Sequence, residues 1–269
     1  MMRYLPSLAV VLGFCSTLHA QYSKAIEDNS FFIEEAYNQE TRVVQHISNL
    51  VYMPQPPRSL QYTFTQEWPV FGETNQLSFD LRYMFLNGES SAGFGDVSIN
   101  YRYQLFDSDD WAAVAPRFTV FLPTGNHAEG LGAGVVGFEC SVAASRRVSE
   151  DFAIHVDARY SWYPGVSGQG ELQLETHRTL KTKTVGGSII WLATEHINVL
   201  MESLMISAEE FAAQGGVARE TSVLVAPGIR YAIDVGSLQI VPGLAFPMFF
   251  SAGSGESGGF FYLSFEHPF

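Results

Sequence analysis

The sequence predicts an all-β protein, a transmembrane up-and-down antiparallel β-barrel of about 12 strands. Three observations predict this fold. Apolar and polar residues alternate strictly over long stretches, short and long connections alternate along the chain, and an apolar row runs to the last residue. Side chains of a strand point alternately to its two faces, so strict alternation indicates a strand with one apolar face. Strands of this kind, joined by alternating short and long connections, are typical of barrels whose apolar face meets lipid.

The alternation is clearest in FGDVSINYRYQLF, residues 94–106, where Val97, Ile99 and Tyr101 share one face and Ser98 and Asn100 share the other. Most of the strands read in this way exceed the five or six residues usual in globular sheets and fit a tilted bilayer span. The predicted strands lie near residues 43–53, 60–70, 76–86, 94–106, 111–123, 135–148, 152–164, 184–194, 197–207, 220–234, 238–250 and 260–269.

The connections carry a second signal. Tight turns such as DSDD and SED follow the fourth and sixth strands, whereas TGNHAEGLGAG and GVSGQGELQLETHRTLKTK follow the fifth and seventh. Outer-membrane barrels have short periplasmic turns and longer external loops. We therefore expect both chain ends in the periplasm, residues 149–151 in a periplasmic turn and residues 165–183 in an external loop.

The chain ends FFYLSFEHPF, which places Phe261, Leu263, Phe265 and Phe269 on one side of the last strand. This strand must close the barrel against the first, because unsatisfied backbone groups in hydrocarbon cost several kcal/mol each. An alternating terminus with a final aromatic residue resembles the signal by which such barrels are recognised for assembly. We expect Phe269 to contact the barrel-assembly machinery and the apolar face to contact outer-membrane lipid.

The N-terminus indicates export. Arg3 is followed by an apolar stretch from Leu5 to Cys15 and by Leu18-His19-Ala20, which resembles a cleavage site. We predict a signal peptide over residues 1–20, a periplasmic N-terminal segment or lumen plug over 21–42 and the barrel over 43–269. The predicted location is the bacterial outer membrane.

Composition excludes several classes of function. The 269 residues carry a formal net charge of −13, so nucleic acid is not an expected partner. Removal of the signal leaves one of the two cysteines, Cys140, and an intrachain disulfide cannot form.

The inward faces of the predicted strands carry acids and arginines in nearly equal number, so the interior is close to neutral. These charges either brace the barrel as ion pairs or line a water-filled path. Pairing about Ser90 would set Arg82 diagonal to Asp96 and Arg102 diagonal to Asp80. The candidate pore-lining residues are Asp80, Arg82, Asp96, Arg102, Arg117, Glu139, Asp157, Arg159, Glu202 and Arg230.

One arrangement raises the question of catalysis. Pairing about Glu150 would place Ser145 opposite His155, with Asp157 two residues further along. No local motif supplies an oxyanion donor, and the set faces inward, away from membrane lipid. We therefore predict no catalytic residues and no enzyme activity. No cofactor is expected, and the scattered histidines do not form a metal-binding spacing.

Several pieces of the chain resemble a known family. FIEEAYNQE followed by VVQHI, then FGDVSINYRYQL and APRFTVFLPTGN, resemble outer-membrane transporters named after the meta-cleavage (MetA) pathway of phenol degradation. The resemblance implies a porin-like barrel for passive uptake of small molecules, with hydrophobic or aromatic compounds among them. The alternatives are a closed structural or adhesion-type barrel with functional external loops and a membrane-embedded lipid hydrolase.

Overall fold

The computed structural model describes residues 30–56, 58–86, 91–107, 111–169, 175–212 and 216–269. In these ranges sixteen hydrogen-bonded segments join into twelve antiparallel strands. The first strand pairs with the last from Val43↔Pro268 to Tyr52↔Gly259, which closes the ring. The predicted closed barrel of twelve strands is therefore confirmed. The predicted signal peptide, residues 1–20, lies outside the described residues.

Eight strands are continuous: β1 Val43–Met53, β2 Ser59–Pro69, β3 Asn75–Leu86, β5 Ala113–Leu122, β6 Gly137–Arg147, β7 Phe152–Gln169, β8 Glu175–Leu192 and β9 Ile197–Phe211. Four are interrupted: β4 Ser91–Phe94 and Val97–Tyr103, β10 Val217–Tyr231 and Ile233–Val235, β11 Leu238–Ala245 and Met248–Ser251, and β12 Ser254–Ser257 and Gly259–Pro268. The end of the barrel at which β1 begins and β12 finishes is called the lower end here, and the opposite end the upper end.

The predicted facing of the clearest strand is also what the structure has. In β4, Ser98, Asn100 and Arg102 are buried in the lumen, whereas Ile99 and Tyr101 are exposed on the outer surface. In β12, Phe261 and Leu263 point outward and are exposed. The terminal apolar row therefore lies on the outer face of the wall, where it would contact lipid.

The interruptions have local causes. Pro247 has no N–H to donate to the ladder, and β11 breaks there. The neighbouring strands compensate, because the Phe246 amide donates to the Pro227 carbonyl at 3.0 Å and the Gly258 amide donates to the Pro247 carbonyl at 2.9 Å. In β4 the break falls at Gly95 and Asp96, where the Asp96 side chain binds a loop.

The predicted sorting into short turns and long loops is only partly realised. Residues 165–183, predicted as an external loop, belong mostly to β7 and β8, which contain 18 residues each. β9 and β10 are also long, and their uninterrupted segments contain 15 residues each. The extra length projects at the upper end, so this end differs from the lower one through extended strands as well as through loops. The long upper connection 123–136 contains a 3-10 turn, His127–Glu129.

No helix within the described ranges is long and apolar enough to cross a membrane.

Candidate functional site

The described part of the N-terminal segment, residues 30–42, lies inside the barrel. It leaves the lower end of β1 and runs into the lumen, where Phe31, Ile33 and Ala36 are buried. This stretch forms no strand and has no ladder of its own, so its backbone groups need other partners. Inward-facing side chains of the wall supply them.

Two acids hold the upper part of this segment. Both carboxylate oxygens of Glu202 accept backbone hydrogen bonds, from the Phe31 amide at 2.9 Å and from the Phe32 amide at 2.8 Å. The Glu34 amide donates to Asp157 at 3.0 Å. A buried amide without a partner would cost free energy comparable to a lost hydrogen bond. These two acids therefore fix the segment at mid-height in the barrel.

Three neutral side chains and one acid hold the lower part. The Ala36 amide donates to Ser145 Oγ at 2.8 Å, and the Gln39 amide donates to Gln76 Oε1 at 2.7 Å. Two further amides in the segment, of Asn38 and Thr41, donate to Gln104 and Glu73. Seven backbone amides between residues 31 and 41 are thus bound by side chains of the barrel.

Arginines of the wall bind the carbonyls and acids of the segment. Arg102 donates to the backbone carbonyls of Glu35 and Tyr37 and to Asn38 Oδ1. Arg159 donates to the Phe32 carbonyl at 2.6 Å. The segment is consequently bound along both its donor and its acceptor groups.

The Glu34 carboxylate is the centre of the electrostatic contacts. Arg117 forms a charge-assisted hydrogen bond to it, and Arg102 approaches it to 3.6 Å. Burial acts to raise the pKa of Glu34, but the charges of Arg117, Arg159 and Arg102 outweigh burial and lower the pKa to about 2. Glu34 is therefore ionised throughout the physiological pH range.

A cavity of about 340 Å³ remains beside and above the segment. One side of it is polar and carries five of the predicted pore-lining residues: Asp80, Arg82, Arg117, Glu139 and Arg159. The other side has no arginine and is formed by Phe31, Phe32, Ile47, Val51, Phe260 and Tyr262, together with the neutral polar side chains Asn49, Gln61, Thr63 and Thr65. The lumen therefore contains a chamber with one charged wall and one mainly apolar wall.

The other five predicted residues lie elsewhere. Arg102, Asp157 and Glu202 bind the N-terminal segment and do not border the cavity. Arg230 is fully buried on β10, beside β9. Asp96 holds an upper loop.

The predicted pairing of Arg102 with Asp80 is wrong. Gln76 stands opposite Arg102, and Ser98 stands opposite Asp80. The pairing of β3 with β4 is shifted by two residues from the predicted one, so that residue 76 rather than residue 78 stands opposite Arg102. The N-terminal segment then supplies Arg102 with closer partners. Arg117 approaches Asp80 to 4.0 Å instead, and Arg82 approaches it to 3.9 Å.

The predicted register of β6 and β7 is correct. Ser145 stands opposite His155, and Ser145 Oγ lies 2.7 Å from His155 Nδ1. Both residues are buried beneath the segment, and Ser145 Oγ also accepts the Ala36 amide. Asp157 binds Arg159 and the Glu34 amide. This arrangement fixes the segment, because the hydroxyl and the acid are already occupied by it.

Asp96 joins two of the motifs noted in the sequence, FGD and LPTGN. Its carboxylate accepts the Gly125 amide at 2.9 Å and the Ala133 amide at 2.8 Å. Thr124 Oγ1 accepts the Val97 amide at 2.9 Å and donates to the Gly95 carbonyl at 3.1 Å. The buried Leu131 then packs against Gly93 and Gly95. The loop 123–136 is therefore tied to β4 at both of its ends.

The residues that bind the segment were only partly visible in the sequence. Gln76 and Gln104 could not be singled out, because single neutral side chains on inward faces carry no signal, and Ser145 drew attention only through its predicted pairing with His155. The adjacent acids Glu34 and Glu35, within an apolar N-terminal stretch, were the one feature that could have indicated ionic contacts with lumen arginines.

No protein-family model matches this sequence, and no curated protein matches it. Among solved structures, the chain is similar to an outer membrane channel from Pseudomonas putida F1, with a TM-score of 0.64 and 11% identity. The match covers 87% of this chain and 98% of that channel. It is also similar to the NanC porin, with a TM-score of 0.53 and 10% identity over 83% of this chain and 100% of the porin. At these identities the likeness shows the fold, which is that of an outer-membrane β-barrel.

Proposed function

We propose that this protein is an outer-membrane channel for passive uptake of small molecules and that residues 30–42 close its lower half. The observation that carries the proposal is the cavity of about 340 Å³ above a segment held by hydrogen bonds, ion pairs and apolar packing. The segment continues into β1 at Val43, and its contacts with the rest of the wall are noncovalent, so its release would connect the chamber with the lower end. A chamber of this size suits small solutes.

The two walls of the chamber support a substrate with an apolar part. Phe32, Phe260 and Tyr262 offer aromatic contacts, and Arg82 and Arg159 face them from the charged side. The resemblance to the transporter family of phenol degradation points the same way. We propose hydrophobic or aromatic small molecules as the substrate class, lipid as the surroundings of the outer face, and assembly through Phe269.

The test is planar-bilayer recording of the mature chain and of a variant that lacks residues 21–42. We expect small, infrequent openings for the mature chain and a severalfold larger conductance for the truncated variant. Liposome swelling with small sugars and with phenols would report on uncharged solutes. If neither protein conducts and no solute enters, the barrel is closed and structural, and its external loops carry its function.

A second candidate, a lipid hydrolase, rests on the contact between Ser145 and His155. Ser145→Ala should leave lipid hydrolysis by the purified protein at background. Hydrolysis that is present in the native chain and lost in this variant would establish the enzyme and overturn the prediction of no activity.

A further inference from the structure

The outer surface changes from apolar to polar between two adjacent rows of residues on β8, β9 and β10. In the lower row, Val185 pairs with Met205 and Met205 with Val223, and all three are exposed. In the next row up, Lys183 pairs with Ser207, and Ser207 with Thr221. The apolar belt of the barrel therefore ends at Lys183 on this side.

Three basic side chains gather at this border. Lys181 and Lys183 on β8 and Arg219 on β10 are exposed on the outer face, with β9 between these two strands. The only acid that pairs with them in the described strands is Glu209, which accepts a hydrogen bond from Arg219 at 2.7 Å. Three positive charges and one negative charge thus form a positive patch on a chain whose net charge is −13.

An aromatic groove adjoins the patch. Cys140, Tyr160, Trp162, Thr179 and Lys181 line an open groove of about 410 Å³ on the outer face. The rings of Tyr160 and Trp162 are stacked with centroids 5.7 Å apart, and these two residues pair across the strands with Lys183 and Lys181. Amphipathic rings favour the headgroup level of a membrane. The lysines therefore lie at the height where lipid headgroups would be.

We propose that this surface, named the basic rim site and formed by Lys181, Lys183 and Arg219 with the hydroxyls of Ser207 and Thr221, binds the phosphate of a phosphorylated glycolipid in the upper leaflet. Ammonium, guanidinium and hydroxyl groups are the donors that phosphate oxygens accept. The acyl chains would lie on the apolar row Val185, Met205 and Val223 directly below, which favours a lipid over free phosphate. The proposal rests on the membrane placement proposed above.

The experiment compares lipid retention by three forms of the folded mature chain. They are the native chain, the triple variant Lys181→Gln/Lys183→Gln/Arg219→Gln, and the control Arg146→Gln, which removes an outward-facing arginine near the lower end. Each is purified in detergent, titrated with diphosphoryl lipid A, dephosphorylated lipid A or phosphatidylglycerol, and analysed by native mass spectrometry. Heat modifiability on gels verifies that each form is folded.

We expect the native chain and Arg146→Gln to bind diphosphoryl lipid A more than about tenfold better than its dephosphorylated form. The triple variant should lose that preference, since each basic residue adds to the attraction of an anionic surface. Raising the salt concentration should weaken binding to the native chain.

Equal binding of the two lipid A forms, or undiminished binding by the folded triple variant, would overturn the proposal. If millimolar inorganic phosphate displaces lipid A and binding does not depend on the acyl chains, the ligand of the basic rim site is a free anion and not a lipid. If phosphatidylglycerol binds as tightly as lipid A, the site attracts anionic lipids in general, and the proposal of a glycolipid ligand is wrong. Bilayer conductance of the triple variant is measured in parallel, so failure of the channel and failure of the rim site are distinguishable.

Discussion

The fully buried carboxylate of Glu202 accepts hydrogen bonds from two consecutive backbone amides of the N-terminal segment. Glu202→Gln keeps the size of the side chain but leaves one oxygen and turns an NH₂ group toward an amide donor. We expect a loss of about 1–3 kcal/mol in the attachment of the segment. Planar-bilayer recordings should show more frequent openings than in the native chain.

The matched control is Glu150→Gln, which changes an exposed acid in a lower turn. Its openings should equal those of the native chain. An unchanged open probability in folded Glu202→Gln would mean that the upper attachment does not limit conduction.

The surroundings that an added charge would meet on the outer face of β4 change along the strand. Ile99 is exposed on the outer surface, so Ile99→Arg should lower the free energy of unfolding by ~2–4 kcal/mol if the residue lies near the bilayer midplane. Urea unfolding in lipid vesicles measures this cost. Tyr103→Arg, at the lower end of the same strand and face, serves as the control and should cost about 0–1 kcal/mol. Equal costs for the two variants would contradict the placement of β4 across a bilayer.

Residue-level facing could be predicted because a period of two needs no tertiary information. The partners of Arg102 could not. Its three closest acceptors belong to residues 35, 37 and 38, which are more than sixty positions away in sequence and follow no repeating pattern. When a side chain binds an irregular segment, the sequence pattern of its own strand does not indicate which residues it contacts.

At the scale of elements, the loop 123–136 depends on one carboxylate of β4. Asp96→Asn keeps the shape but removes the charge that binds the Gly125 and Ala133 amides. We expect faster hydrogen exchange at these amides, equivalent to about 1–3 kcal/mol of local stability. Asp234→Asn, in β10 near the opposite end, is the control and should leave this loop unchanged.

If exchange in the loop is the same in Asp96→Asn and in the native chain, the Thr124 hydrogen bonds and the packing of Leu131 hold the loop without the Asp96 charge.

Element ends were harder to predict than element cores. The register of β7 shifts between Tyr163 and Val166, at Pro164-Gly165, and the strand then continues to Gln169. Turn residues and polar side chains made this stretch look like a loop. Strands that rise beyond lipid need no apolar face, so the alternation that identified their lower halves disappears there.

At the scale of the whole molecule, closure depends on the seam between β1 and β12. The Phe269 amide donates to the Arg42 carbonyl at 2.9 Å, and its ring is exposed. Deletion of Phe269 should reduce the amount of folded barrel in the outer membrane several-fold while synthesis is unchanged. Heat-modifiable protein in membrane fractions, relative to total protein, measures the effect.

Phe71→Ala is the control for that deletion, because it removes a fully exposed ring at the lower end without touching the terminus. If the level of folded protein is unchanged after deletion of Phe269, the assembly machinery recognises another part of the seam between β1 and β12.

The way in which the N-terminal segment is recognised has a consequence for how such a barrel diversifies. Most of its attachments are to backbone amides and carbonyls, which every residue except proline provides in full. The side chain of Phe32, in the wall of the chamber, takes no part in these backbone hydrogen bonds, so a substitution there can change the lining and leave the hydrogen bonds in place. The lining of the chamber and the attachment of the segment can therefore change separately in evolution.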